Sequence, residues 1–538
     1  LNESATPTPT PTPTPTVGAI SGFSLVDVDS GQPVAGYDPI REGAVINLAQ
    51  LPSYHVTVRA NADPVGIGSV NFSLNGDSNH RIVNQAPYAI YGMQGSGYVA
   101  WPLGSLIGTH TIVATPFSAP SRGGTAGQPA SLHVSFIDEP VPPAGNLSDR
   151  PPMHIDYVDL DSAPIGAWVT MWGISFGADK NQATLTVAGV PVTEFAGWSD
   201  TRIDFRIPAG AGSGLIVLQR GSEKATLAHT FRVRNGRQFH VNPAWPGASD
   251  SGSGSQEAPW RTLAHALTQV QPGDIVYLGG STYAESLRLT RGGQPGQPIV
   301  FKAMPSQQPV LNGEGLQGGG IHLEAGAADD LGYVTLSGIT LRNFDRGVFV
   351  KGAHDLRLLG LDAAAGDEGV VLHDVEIVQI GQSRLTGYGH AGVQILGASR
   401  YVQLSEVVLS KNGNGQTGGL LAASSVDALT LIRCLAEENQ GDGFNIAASN
   451  VLLIGCGARG NWTGFRLLGD ARMQNVWARD NAYYGILADR LGEQSPTQSI
   501  VNCTVSGSHA EANIEVRSGS QIEIRNVISV GGTGPAIR

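Results

Sequence analysis

Cysteine is scarce, with three in 538 residues. So few thiols cannot build a disulfide framework, and no C-x-x-C pair or Cys/His cluster offers a metal-binding spacing. No metal and no cofactor are expected. Charge is scarce too: Asp, Glu, Lys and Arg make up 14% of the chain, and lysine stands only at Lys180, Lys224, Lys302, Lys351 and Lys411. Long helices carry charged faces, so this composition speaks against a helical architecture. The net charge of −12 argues against a broad basic face and with it against a nucleic-acid partner. No run approaches the about 18 apolar residues of a membrane span, so none is expected. No leader peptide is visible at Leu1-Asn2-Glu3-Ser4, and a trimmed N-terminus is the expectation.

Glycine, by contrast, occurs 72 times, and part of it is periodic. The pattern Gly-apolar-x-apolar recurs at Gly347, Gly369, Gly392, Gly419, Gly443, Gly464 and Gly485, and an eighth copy carries Asn513 instead. Glycine and asparagine tolerate a left-handed backbone, so a tight bend is expected at each anchor. The anchors return every 21 to 28 residues, the signature of a solenoid.

Ahead of the solenoid the chain changes character several times. Residues 6–16 alternate threonine with proline. That favours an extended polyproline stalk over 1–17, either a semi-rigid spacer or a segment docked on another surface. Residues 18–138 contain short alternating segments such as 56–60, 69–74 and 109–114, with an Asn75-Gly76-Asp77 hairpin turn. They read as an immunoglobulin-like β-sandwich. Tyr88, Tyr91, Tyr98 and Trp101 are glycan-binding candidates if exposed, and core or strand-edge packing otherwise. A proline-rich linker, 139–150, follows.

The run Ala167-Trp168-Val169-Thr170-Met171-Trp172-Gly173, with Trp198-Ser199-Asp200-Thr201-Arg202-Ile203 after it, resembles an IPT/TIG domain over 151–235. That resemblance implies an immunoglobulin-like spacer or contact module without catalytic residues. Next come Phe239-His240-Val241-Asn242-Pro243, Pro259-Trp260-Arg261-Thr262-Leu263 and Pro272-Gly273-Asp274-Ile275-Val276-Tyr277-Leu278. They resemble the entry of pectin-lyase-like right-handed parallel β-helices, a superfamily with many polysaccharide lyases, glycosidases and epimerases. Trp260, Leu263, Leu267 and Val270 form an apolar stripe on a short helix suited to cover the first coil. The expected fold class is therefore all-β: two immunoglobulin-like β-sandwiches followed by a right-handed parallel β-helix over 236–538.

Within the coils, strands at 334–339, 356–361, 375–380, 402–407, 429–434, 451–456, 471–476, 498–503 and 522–527 are expected to point their first, third and sixth residues inward. This places Cys434, Cys456 and Cys503 in the core as buried thiols. Five residues later, Asn412, Asn439, Asn461, Asn481 and then Ser508 are expected to stack as a structural ladder. The face holding Thr335, Arg357, Glu376, Gln403, Thr430, Arg472, Ser499 and Glu523 reads as polar. On the opposite side Leu396, Leu421, Ala423, Ala447, Leu468 and Leu487 form an outward apolar stripe, expected as an assembly face. Lys351 and His373 are expected as neighbours on adjacent coils, with Asp345, Arg346, Asp367 and Glu368 in nearby turns and Tyr388 and His390 on an excursion at 381–391. β-Elimination of a uronate needs a base and a cation that offsets the carboxylate, roles Lys351, His373 and Arg346 are able to fill. The end of the chain shows no capping helix, so a continuing chain or a partner at that end is expected.

The leading functional expectation is an extracellular or cell-surface structural or adhesive protein that self-associates or joins other surface proteins through the apolar stripe and the stalk. Its alternatives are a polysaccharide lyase or epimerase acting on an acidic polysaccharide, and non-catalytic glycan binding.

Overall fold

A computed structural model describes residues 17–34, 36–48, 51, 53, 55–62, 66–95, 97–137, 151–316, 318–326, 330–415, 417–490, 496–507, 511–517, 521–531 and 535–538. The proline–threonine tract, the 139–150 linker and Ser508 lie outside the described residues. The chain divides into two compact units, 1–146 and 147–538.

In the first unit, Ile20–Asp27 pairs with Val56–Ala62 in one antiparallel sheet, and Gly108–Ala119 lies between Ser69–Leu74 and Ala130–Ile137 in another. The expected hairpin turn is present: Asn75 and Gly76 take φ of +53° and +90° between Ser69–Leu74 and Asp77–Val83. Three of the four candidate sugar-binding rings are core. Trp101 is 1% exposed, and Tyr88 and Tyr91 are buried beside it in the same apolar cluster with Phe72 and Phe136. The Tyr91 and Trp101 ring centroids are 5.4 Å apart, and the Tyr88 hydroxyl donates to the Ile67 carbonyl. Packing has taken up the faces a sugar would need. Tyr98 is half-buried, its hydroxyl near the Arg59 guanidinium.

The second unit begins with two facing four-stranded sheets, His154–Val158 to Arg202–Arg206 on one side and Ala183–Val187 to Glu223–Thr226 on the other. A parallel β-helix follows. Its three sheets hold twelve, eleven and ten parallel strands among the described residues, each strand pairing with its equivalent one coil later. The first sheet starts at Gln238–Val241, the second at Thr282–Tyr283 and the third at Leu287–Leu289.

The anchor glycines are needed for a reason other than the expected one. None of Gly347, Gly369, Gly392, Gly419, Gly443 or Gly464 has a positive φ. A Cβ on Gly369 would instead lie 2.2 Å from the Gly392 carbonyl oxygen, and one on Gly443 2.7 Å from that of Gly464. The glycines form a stack that leaves no room for side chains. Left-handed residues sit elsewhere: Tyr333, Asp355, Ile377, Tyr401, Ala428 and Asn450 each bend the chain just before an inward residue of the first sheet.

Register agrees with the expected columns on every coil but one. Val378, not Val375, stands beside Leu356 and Val402. The residue aligned with Leu361 and Val407 is consequently Ser383, and Gln379 rather than Glu376 faces outward next to Arg357. Ser383 fits the dry column because its hydroxyl accepts from the Leu361 amide and donates to the Gly381 carbonyl. Cys434, Cys456 and Cys503 are free and buried, and burial pushes the Cys456 and Cys503 thiols up.

The asparagine ladder is buried and continuous. Asn412, Asn439 and Asn461 amides donate to the side-chain oxygens of Asn439, Asn461 and Asn481 at 2.9, 3.1 and 3.0 Å. Each side-chain amide donates to the carbonyl of a residue on the preceding coil, Asn461 to Ala436 at 3.0 Å. Asn461→Ala is expected to orphan the Asn439 amide and the Ala436 carbonyl, at about 1–3 kcal/mol for each buried group. An unchanged denaturant midpoint in equilibrium unfolding would contradict this.

The short helix Leu263–Gln269 closes the first coil as expected, with Leu263 and Ala266 buried and Trp260 stacked on Phe239. Its exposed amides are satisfied: Leu263 and Ala264 donate to the Glu285 carboxylate, and His265 donates to the Thr262 hydroxyl.

The polar face of the first sheet is the covered one. Ile275, Tyr277 and Val300 point out of the helix into the core of the neighbouring β-sandwich. Burying each aliphatic chain contributes about 1.5–3 kcal/mol. Lys302 reaches Asp159 at 2.5 Å, with side chains 3% and 0% exposed, and donates to the Trp168 carbonyl. Arg357 donates to the Val158 carbonyl, and Arg433 pairs with Asp156 at 2.9 Å. Tyr157 packs on Trp172 and Leu359. A Cβ at Gly381 would sit 2.7 Å from the Tyr157 hydroxyl, so the glycine makes room for the ring. Residues 154–233 are thus docked along the first sheet rather than held off it.

His240, stacked on Tyr277, has its pKa lowered by burial from 6.5 to about 4. The folded state holds it neutral while the unfolded chain takes up a proton near its ordinary pKa. Its contribution is therefore full above that value and lost as pH falls toward about 4, up to about 2–3 kcal/mol. Denaturant midpoints at about pH 7 and pH 4.5 should fall more for the native chain than for His240→Gln. Equal falls would contradict the assignment.

Candidate active site

The third sheet is the face that the sandwich leaves open on the N-terminal coils. Its strands Gly319–Glu324, Arg346–Lys351, Glu368–His373 and Val393–Leu396 lie side by side. Alternation along each strand turns two columns outward: His322, Phe349, Val371 and Gln394, and Glu324, Lys351, His373 and Leu396. Adjacent strands are about 4.8 Å apart, so Lys351 and His373 are immediate neighbours.

Each group has a counter-charge. Lys351 Nζ is 3.6 Å from Glu324 Oε1, and Glu324 Oε2 is 2.9 Å from His322 Nε2. A hydrogen bond with His322, and then the Lys351 charge, hold the Glu324 carboxyl below the usual carboxylate range. His373 Nδ1 is buried 2.8 Å from Asp374 Oδ2 without hydrogen-bond geometry, which leaves Nε2 for proton exchange. The Ala398 amide donates to Asp374 at 2.8 Å and holds that carboxyl low, helped by His373. A loosely paired ammonium beside an imidazole is suited to removing a proton next to a carboxylate.

Arg346 does not join this pair. It begins the strand that Lys351 ends, about 16 Å away at strand rise. There its Nε is 2.5 Å from Glu368 Oε2, its guanidinium stands 4.7 Å from the Phe349 ring centroid, and Gln394 donates to Glu368 Oε1. It is placed to hold substrate at a distance from Lys351 and His373. Tyr388 is also removed from the site. Residues expected as an excursion include the strand Arg384–Tyr388 of the second sheet, and the Tyr388 ring is 2% exposed beneath the glycine stack. His390 is exposed, with its amide on the Asp367 carbonyl.

The outward apolar stripe is not an exposed patch. Leu396, Leu421, Ala423, Ala447 and Leu468 are half-buried, and Leu487 is fully buried with Tyr484 and Ala512. Gln394, Asn445, Arg466 and Glu515 alternate with them, and Arg466 pairs with Asp442 at 2.6 Å. Short aliphatic chains between long polar ones are shielded by their neighbours.

Sequence reasoning passed over His322, Glu324, Asp374 and an aromatic pair. Trp462 and Tyr483 are 43% and 45% exposed on successive coils, with ring centroids 6.0 Å apart, just before third-sheet strands. Their signal was positional, since they follow ladder residues Asn461 and Asn481 by one and two places. Among the described residues, no group of three or more His, Cys, Asp or Glu side chains is arranged to hold a metal ion. No helix among them is long and apolar enough to cross a membrane.

Residues 244–485 match the family model described as Pel9A-like, right handed beta helix region. The solenoid is accordingly a right-handed parallel β-helix. An uncharacterized protein of Bacillus subtilis, YwoF, is 22% identical over 202 residues, covering 37% of this chain and 42% of the relative. Pectate lyase PEL9 of Emericella nidulans is 24% identical over 201 residues, covering 37% and 43%. The chain thus spans less than half the length of these curated relatives. Among solved structures, pectate lyase Pel9A is similar at 17% identity and a TM-score of 0.38, covering 56% of this chain and 78% of that one. An alginate lyase from Paenibacillus is similar at 16% and 0.39, covering 56% and 99%.

Proposed function

We propose that this protein is a polysaccharide lyase that cleaves an acidic polysaccharide by β-elimination on the third-sheet face. The reading is carried by Lys351 and His373 standing side by side on the outer surface of a β-helix whose residues 244–485 match a Pel9A-like family model. His373 Nε2 takes the C5 proton of a uronate, and Lys351 offsets the charge that grows on its carboxylate. The electron pair forms the C4–C5 double bond as the C4–O bond breaks, and the leaving oxygen takes a proton from water. Arg346 holds a carboxylate farther along the chain, and Trp462 and Tyr483 offer ring faces to sugars. The structural or adhesive reading loses the support of its stripe, whose residues are half-buried or buried. Action on a polymer outside the cell agrees with a proline–threonine stalk, so an extracellular or cell-surface location belongs to the same proposal.

The test is a screen of polygalacturonate, alginate and other polyuronates for the ultraviolet absorbance of an unsaturated uronate. Absorbance growing with time on at least one polymer is expected. No increase on any of them would sink the lyase reading.

A further inference from the structure

A second concave site lies where the sandwich 154–233 meets the first coils. It is a cleft of about 790 Å³, with Trp198, Arg202 and Asp204 on the sandwich wall and Trp245, Gln307 and Gln308 on the helix wall. Its volume is that of an ordinary ligand pocket. None of these residues belongs to the third-sheet face.

The walls are held in place before any ligand arrives. Lys302 and Asp159 lock the two parts together in the buried interface, and the Ser306 hydroxyl donates to the Ala196 carbonyl between them. Trp198 Nε1 donates to the Gly177 carbonyl at 3.1 Å, which fixes its ring, and Gln307 Oε1 accepts from the Gly280 amide at 2.6 Å. Trp245 is 43% exposed and lines the cleft, so its ring is available for a ligand to stack on.

The cleft's charge is internally cancelled. Arg202 Nη2 is 3.1 Å from Asp204 Oδ1, and that carboxylate also accepts from the Thr170 hydroxyl at 2.8 Å. The lining open to a ligand includes the exposed Trp245 indole, the half-buried Trp198 ring and the side-chain amides of Gln307 and Gln308. Indoles stack on the C–H faces of pyranose rings, and amides exchange hydrogen bonds with hydroxyls. An anion would find no uncompensated cation here, in contrast to Lys351 on the third sheet.

We propose that this cleft is a carbohydrate-binding site for a neutral stretch of a glycan chain, held by stacking on Trp245 and Trp198. It stands independently of the lyase reading, because it uses other residues and another kind of recognition. It gives the protein a grip on polymer that salt does not loosen.

The test titrates the full chain with neutral oligosaccharides of β-1,4-linked glucose, xylose and galactose, followed by tryptophan fluorescence and calorimetry. At least one should bind saturably, and its affinity should persist in about 1 M salt, where exposed ion pairs are screened. Trp245→Ala should weaken binding by about tenfold or more, the scale of one lost ring contact, and Gln308→Ala should weaken it less. Trp477→Ala, an exposed ring elsewhere on the solenoid, should leave it unchanged. Because Trp245 is exposed, thermal melts of its variant should match the native chain. Binding of none of the three sugars, binding abolished by salt, or equal affinity in Trp245→Ala would overturn the proposal. So would a self-associated species that Trp245→Ala dissociates, since the cleft would then hold a second copy.

Discussion

Replacing Lys302 with methionine is expected to cost the fold about 3–5 kcal/mol, the usual penalty for stranding one partner of a buried ion pair. The Asp159 carboxylate is 0% exposed and sits between the Lys302 ammonium, the Thr170 amide and the Ser337 hydroxyl. Without the ammonium, two neutral donors must hold a buried negative charge. The loss should appear as an earlier urea transition of the unit 147–538, because the pair joins the sandwich to the coils. Pairing the change with Asp159→Leu should recover part of the stability, since an apolar pair of similar volume is often no worse than the ionic one, while the Thr170 amide then lacks its acceptor. A single variant with the native midpoint would mean that the pair does not anchor the sandwich.

The second large effect concerns chemistry. On a polyuronate that the protein cleaves, His373→Ala is expected to lower kcat about 10²–10⁴-fold, the range for removing a proton-transfer group, and Lys351→Met about 10²–10³-fold, the range for removing a group that stabilises growing charge. Arg346→Ala should act mainly on KM, because its guanidinium lies several residues up the strand and is already paired with Glu368. Steady-state kinetics with circular dichroism on each variant checks this, as all three side chains are at least partly exposed. Equal losses in kcat for Arg346→Ala and His373→Ala would contradict the division of roles.

Much of the solenoid was legible because its pattern is repetitive. Inward columns, buried cysteines and the asparagine ladder follow from apolar and amide residues recurring at fixed offsets. The glycine stack was visible for the same reason, though its cause was not: a contact with the next coil's carbonyl leaves no mark that distinguishes it from a bend. The register slip at 375–380 has a physical origin. Val375, Ile377, Val378 and Ile380 fit two phases equally well, and the chain chooses by bending at Ile377, a β-branched residue at φ +56° that local preference would reject. The docked sandwich was hidden for another reason. Its contacts join residues far apart in sequence, such as Asp159 with Lys302 and Tyr157 with Gly381, and nothing local announces them. At the candidate site, Lys351 and His373 were found by counting coils, whereas Glu324 and Asp374 emerged only once side chains had neighbours. Tyr88, Tyr91 and Trp101 turned out to be core, because alternation alone does not tell a ring in a core from a ring on a surface.

Elimination on the third-sheet face is tested most directly by the masses of the products. Each cleavage of a polyuronate should leave one fragment whose new non-reducing end is one water lighter than hydrolysis would give, beside a partner with an ordinary reducing end, and His373→Ala should release almost none. Fully hydrated products alone, or unsaturated products formed equally well by His373→Ala, would contradict it.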